Sequence, residues 1–167
     1  RRRWRVGKHD ADTVQFIYVS KAGEGGFPGE LEVTVTYNVR DNEVRIVYAA
    51  KTSADTIINL TNHSYFNLNG AGLILDHSLW IDADTYTPVN ERLIPTGELA
   101  SVEGTPFDFR EFTRIGARIG ERHPQLIFGQ GYDHNWVLNG GITNTPRAVA
   151  ALSEPLRGRT LTILTTE

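Results

Sequence analysis

Two short polar segments hold most of the side chains able to do chemistry. The first is Asn59-Leu-Thr-Asn-His-Ser-Tyr-Phe-Asn-Leu68, where His63 sits among amides and hydroxyls that can orient an imidazole by hydrogen bonding. Histidine is the one side chain whose ordinary pKa, about 6.5, lets it give or take a proton near neutrality. In a β-rich protein a histidine is more often a packing or surface residue, so this cluster alone assigns no role. The second segment is Gly131-Tyr-Asp-His-Asn-Trp-Val-Leu138, with Asp133 and His134 adjacent and an aromatic on either side. Neighbours on a strand point to opposite faces. We therefore expect only one of the pair to face a ligand, and take it to be Asp133. Aromatic rings beside carboxylates and imidazoles suit a sugar, because the ring face covers C–H surface while the polar groups bond hydroxyls.

Other constellations say less. His77, Asp82 and Asp84 could be drawn as metal ligands, but their spacing fits no zinc or calcium loop, and we expect no metal. Asn59-Leu-Thr and Asn62-His-Ser match the glycosylation sequon, which carries little weight where no signal-peptide pattern is seen. Ser64 lacks a nucleophile elbow, and the glycine-rich residues 23–29 do not form a phosphate-binding loop followed by a helix. The absence of cysteine excludes disulfides, thiolate metal sites and cysteine nucleophiles.

The elements that must position these groups read as β. Leu31, Val33, Val35, Tyr37 and Val39 alternate with Glu32, Thr34, Thr36 and Asn38, the pattern of a half-buried strand. Asp41-Asn42 reads as a turn, and Val44, Ile46 and Tyr48 resume the alternation, so residues 31–51 are predicted to form a hairpin. Residues 13–20 form a further β-rich run, followed downstream by 55–61, 74–82, 98–103, 134–139, 146–152 and 159–166. Only 111–120 reads as helical, kept short by Gly116 and Gly120. Short strands punctuated by Gly, Pro and Asn predict an all-β antiparallel sandwich.

The 167 residues predict one domain, 1–167, large enough to bury a real core. A hydrophobic share of 40% and a charged share of 22% exclude a disordered chain. A net charge of −3, from 17 basic and 20 acidic residues, argues against nucleic acid as a partner. No apolar run reaches the roughly 18–20 residues that cross a bilayer, so we expect no membrane partner. The missing signal pattern leads us to expect a cytoplasmic protein. The basic Arg1–Arg5 cluster reads as a solvated end rather than a binding arm. The chain starts with Arg, contains no Met and stops inside the strand-like Thr160–Glu167, which we read as part of something longer. Such a chain would expose unpaired strand edges, and we expect it to form a homo-oligomer through them.

Several segments together resemble the galactose mutarotase (aldose 1-epimerase) family. They are Gly25-Gly-Phe-Pro-Gly29, Thr61-Asn-His-Ser-Tyr-Phe-Asn-Leu-Asn-Gly70, Ile81-Asp-Ala-Asp-Thr-Tyr-Thr-Pro-Val-Asn90, Leu93-Ile-Pro-Thr-Gly-Glu98, Gly104-Thr-Pro-Phe-Asp-Phe-Arg110 and Gly131-Tyr-Asp-His-Asn135. Their order and spacing also fit, from about residue 24 to the end. The resemblance implies a large antiparallel β-sandwich, of which this is the central part, and interconversion of α and β anomers of hexoses such as galactose and glucose. It makes His63 the general acid that protonates the ring oxygen and Asp133 the carboxylate that binds sugar hydroxyls, with Asn62 and Tyr65 as further substrate-binding residues. It implies no cofactor or metal. The family's general base is a glutamate in a motif that Glu167 does not match. Its substrate-binding arginine and second histidine lie in an N-terminal region that Lys8-His9-Asp10 does not resemble. The alternatives are a non-catalytic carbohydrate-binding relative without the base and a structural sandwich with no ligand.

Overall fold

The alternating run 31–39 becomes a strand because its odd-numbered side chains can share one face. In the computed structural model, which describes residues 2–167, that strand pairs with neighbours on both sides, over Leu31–Asn38 on one and its whole length on the other. Arg1, the first residue of the basic Arg1–Arg5 cluster, lies outside the described residues. The chain divides into two compact units, one ending at Ser64 and the other spanning Tyr65–Glu167.

The first unit is an antiparallel meander of β1 (Arg5–His9), β2 (Thr13–Ser20), β3 (Leu31–Arg40) and β4 (Glu43–Thr52), in that spatial order. The β3–β4 ladder runs from Leu31↔Thr52 to Arg40↔Glu43, leaving only Asp41-Asn42 in the predicted turn. Asp41 takes a left-handed conformation there (φ 51), which aspartate tolerates better than most residues. Val33 and Val35 are the buried residues of the alternating face. The glycine-rich segment after β2 forms a 3₁₀ turn at Glu24–Gly26. A Cβ on Gly29 would stand 2.9 Å from Thr52 Oγ1 and 3.0 Å from the Ala54 carbonyl, and φ is +79, so this position needs glycine on both counts. Arg2, from the basic cluster, pairs with Glu24 at 2.6 Å. The strand predicted at 55–61 does not form; these residues belong to no ladder. Their β-forming side chains express a fit to neighbouring strands, and no described residue pairs with them.

The second unit holds two antiparallel sheets. One has the order β11 (Arg159–Thr165), β10 (Arg147–Glu154), β5 (Ser78–Ile81), β8 (Thr113–Arg114), and the other β7 (Ala100–Ser101), β6 (Thr85–Thr87), β9 (Asn135–Val137). The predicted strands in this region therefore exist, several of them trimmed to two to four residues. The 111–120 segment is not an α-helix: it contains β8 and a 3₁₀ turn at Ile115–Ala117. Among the described residues the α-helix is α1 (Pro124–Gly129), started by Pro124 and by the His123 ring accepting the Gln125 N–H, and ended by Gln130 in a left-handed conformation. At six residues it is too short to show a helical period, although proline at its first position and glycine at its last are helix-end signals. No helix among the described residues is long and apolar enough to cross a membrane.

The core of this unit is aromatic. Tyr86, Val102, Phe107 and Leu126 form one buried cluster and Ile81, Ala83 and Phe109 another, and both pack against Tyr132 and Trp136. The polar tips are satisfied locally: Trp136 Nε1 donates to the Phe107 carbonyl (2.9 Å) and the Tyr132 hydroxyl to the Pro106 carbonyl (3.0 Å). Fully burying one phenylalanine ring contributes about 1.5–3 kcal/mol, so this cluster is a principal stabiliser of the unit.

Glu154, only 2% exposed, closes the β10–β11 turn by accepting the backbone N–H groups of Leu156 (2.7 Å) and Arg157 (2.8 Å). Burial pushes its carboxyl up, but the two backbone donors, with Arg157 and His77 adding electrostatic support, outweigh burial and hold it below its ordinary value of 4.5. A group depressed on folding stabilises the native state above its ordinary pKa and loses that contribution as pH falls through the native value. Chemical denaturation between about pH 6 and 3 should therefore show an acid-dependent loss of stability that is smaller in Glu154→Gln. An identical pH profile for both proteins would show that this carboxylate is not part of the acid response.

Candidate functional site

The loop after β4 carries His63 and is pinned by its neighbour. Asn62 Oδ1 accepts the Ser64 N–H (3.1 Å), an Asx turn around His63, and Asn62 Nδ2 donates to the Tyr37 hydroxyl on β3 (3.2 Å). Asn62 thus ties the histidine-bearing turn to the meander. His63 and Asn62 are both exposed, and Tyr65, which opens the second unit, is 90% exposed. Of the four residues expected to serve a sugar, Asn62 and His63 therefore belong to the first unit, and Tyr65 and Asp133 to the second.

Asp133 and His134 precede β9 rather than lying on it, so strand alternation is not what separates them. Gly131 turns the chain here with φ 131, a conformation open to glycine. Asp133 remains exposed, while His134 turns inward. Its ring meets Phe107 edge-on at 4.7 Å, and its Nε2 lies 3.0 Å from Gln125 Oε1. Burial, opposed by the Asp133 charge and reinforced by His123, holds the His134 imidazole below its ordinary pKa. Gln125 gave no signal in the sequence: it is a single amide on an unanticipated helix.

Of the three residues considered as metal ligands, the two aspartates have separate partners and both His77 ring nitrogens are buried without a hydrogen bond among the described residues. Asp82 accepts from Asn139 Nδ2 (2.9 Å), Asp84 pairs with Arg110 (3.6 Å), and His77 is buried. A charged cleft lined by Asp108, Arg110, Glu111, Thr113 and Arg118 has no aromatic wall for a sugar face. Its Arg110 guanidinium and Asp108 carboxylate grip each other through two hydrogen bonds (2.9 and 2.8 Å).

The family model described as aldose 1-epimerase matches residues 1–167. The chain belongs to the aldose 1-epimerase family. The galactose mutarotase of Homo sapiens is 45% identical over 156 residues, covering 92% of this chain and 44% of that protein. The aldose 1-epimerase of Escherichia coli (strain K12) is 40% identical over 140 residues, covering 83% and 40%. Among solved structures, the galactose 1-epimerase from Lactobacillus acidophilus matches with a TM-score of 0.75 at 33% identity, covering 90% of this chain and 45% of that one. The GalM/aldose epimerase homologue from C. elegans matches with a TM-score of 0.81 at 28% identity, covering 96% and 48%. The chain thus spans less than half the length of these relatives.

In this aldose 1-epimerase family chain the turn geometry makes a local test possible. Asn62→Ala removes both tethers and should raise exchange of the Ser64 amide about tenfold or more. Asn62→Asp, which keeps the Asx acceptor and loses the donor to Tyr37, should retain most of the protection. Amide exchange by NMR reads both; equal exchange in all three proteins would remove Asn62 as the brace of the His63 turn.

Proposed function

We propose that the chain supplies the acid and a substrate-binding carboxylate for interconversion of hexose anomers, with galactose or glucose as substrate. Opening a pyranose needs a proton delivered to the ring oxygen while another leaves the anomeric hydroxyl, and the roles reverse on closure. His63 is the proton donor to the ring oxygen in this reading. Asp133, an exposed carboxylate, accepts hydrogen bonds from sugar hydroxyls and fixes the ring. Asn62 presents His63, and the exposed Tyr65 ring offers an apolar face to sugar C–H surface. The remaining proton-transfer group comes from outside these 167 residues, in keeping with their share of the relatives' length. The observation that carries the proposal is the family match together with the placement of His63 on a braced, exposed turn.

The finer setting is part of the same proposal. The protein works in the cytoplasm, and copies associate through the outer strands β4 and β11, each paired on one side only within its sheet. Light scattering should then show a dimer or larger species, and a monomer at high concentration would remove the association.

Polarimetry on freshly dissolved α-D-galactose, with spontaneous mutarotation subtracted, tests the chemistry in a polypeptide that joins this chain to the remaining family segments. His63→Asn should lower the catalysed rate by about 10²-fold or more with sugar affinity nearly unchanged, because an amide bonds but does not transfer a proton. Asp133→Asn should weaken binding and rate together. Near-parent turnover in His63→Asn would overturn the acid assignment.

A further inference from the structure

We infer that His134 is a positioning residue: held as one tautomer by Gln125, it grips the backbone N–H of Asp133 and so fixes the carboxylate that meets the sugar. The inference rests on the reading of Asp133 as a hydroxyl-binding group.

The argument starts at Val89. Its N–H donates to Gln125 Oε1 (2.7 Å) and its carbonyl accepts from Gln125 Nε2 (2.9 Å). That reciprocal pair decides which end of the amide is oxygen. Oε1 only accepts, so the His134 nitrogen 3.0 Å away, Nε2, must bring the proton. A neutral imidazole has one N–H, which leaves Nδ1 with a lone pair. The Asp133 N–H donates to that lone pair at 3.3 Å. Val89, Gln125, His134 and Asp133 thus form one relay with every donor and acceptor assigned, and its far end is the backbone of the sugar-binding residue.

Packing holds the ring in this pose. It meets Phe107 at 4.7 Å and Tyr86 at 6.0 Å, both edge-on. On its remaining side lies Gly129, the last residue of α1, where a Cβ would stand 3.0 Å from His134 Cε1 and 3.6 Å from Asp133 Cβ. The Gly129 φ is not in the left-handed region, so space for the histidine, rather than backbone conformation, is the reason for glycine here. The ionisable groups around the ring are Asp133 beside it, His123 from the start of α1 and Tyr86 from β6. Burial and His123 outweigh Asp133 and favour the neutral ring. A second proton would place an N–H at Nδ1 against the Asp133 N–H and break the grip.

NMR on this chain tests the relay without requiring turnover. Long-range ¹⁵N correlation near neutral pH should show the His134 proton on Nε2, and on acidification the Asp133 amide should lose protection in step with the ring, at a midpoint below about 6.5. A proton on Nδ1, or an Asp133 amide indifferent to the ring, overturns the proposal. Three variants separate the bonds. His134→Asn keeps an acceptor near Nδ1 and should keep the Asp133 amide protected. His134→Gln keeps only a donor toward Gln125, and His134→Phe keeps only the packing. Both should raise Asp133 exchange about tenfold or more, measured against Ala151 in β10 as an internal reference. If His134→Phe fails to fold, Gly129→Ala displaces the same ring and should give the same exchange increase; unchanged exchange there overturns the proposal. Titration with D-galactose, in the polypeptide that joins this chain to the remaining family segments, tests the underlying reading separately. Sugar that perturbs Asp133 in the parent but binds about tenfold more weakly to the Phe variant than to the Asn variant supports both. Equal affinity in the two variants overturns the positioning role. Galactose that leaves Asp133 unperturbed while the tautomer and exchange results hold removes the sugar reading and confirms the grip.

Discussion

The second unit depends on one buried ring. Phe107 has no exposed surface and stacks on Tyr86 at 4.5 Å, with Tyr132, Trp136, His123 and His134 arranged around it. Large aromatics bring polar tips into a core, and a tip without a partner would offset what the ring contributes. Here the backbone beside the ring supplies the partners: the Pro106 and Phe107 carbonyls take the Tyr132 and Trp136 protons. Packing and hydrogen bonding are therefore satisfied by the same two residues. The inward turn of His134 follows from this arrangement, because its ring fills the remaining side of Phe107.

The strands with long alternation were legible in the sequence and formed almost as read: 13–20, 31–40, 43–52, 147–154 and 159–165. Their side chains fill a two-residue period long enough to exclude other structure. The short strands β6 and β8 span two or three residues and are defined by the partner they meet, which no local pattern encodes. Residues 55–61 failed for the same reason, having the composition of a strand without a described partner. Strand β1 was missed because its five residues, all exposed, show no apolar alternation.

At the candidate site, the two polar blocks stood out by composition and by their likeness to a family, and the family is now established. The opposite facing of Asp133 and His134 was argued from strand geometry, whereas in the structure it arises in a loop from a ring drawn onto Phe107. Val89 and Gln125 had no signature. They are single residues in two separate segments, meaningful only once α1 and the 88–96 loop lie side by side. A relay of this kind is written in hydrogen-bond polarity, which periodicity does not carry.

The two units also differ in how far the chain must reach to close them. In the meander every strand pairs with its immediate successor, so each ladder needs only a short loop to be closed. In the second unit β5 waits for β10, with Ser78 and Ser153 as partners, 75 residues apart in sequence. Loop-closure entropy is lost before such a pairing returns any contact energy, and folding slows as contacts become less local. The meander ladders therefore carry a smaller loop-closure cost than the β5–β10 ladder. The β5–β10 ladder closes only when residues far downstream of β5 arrive.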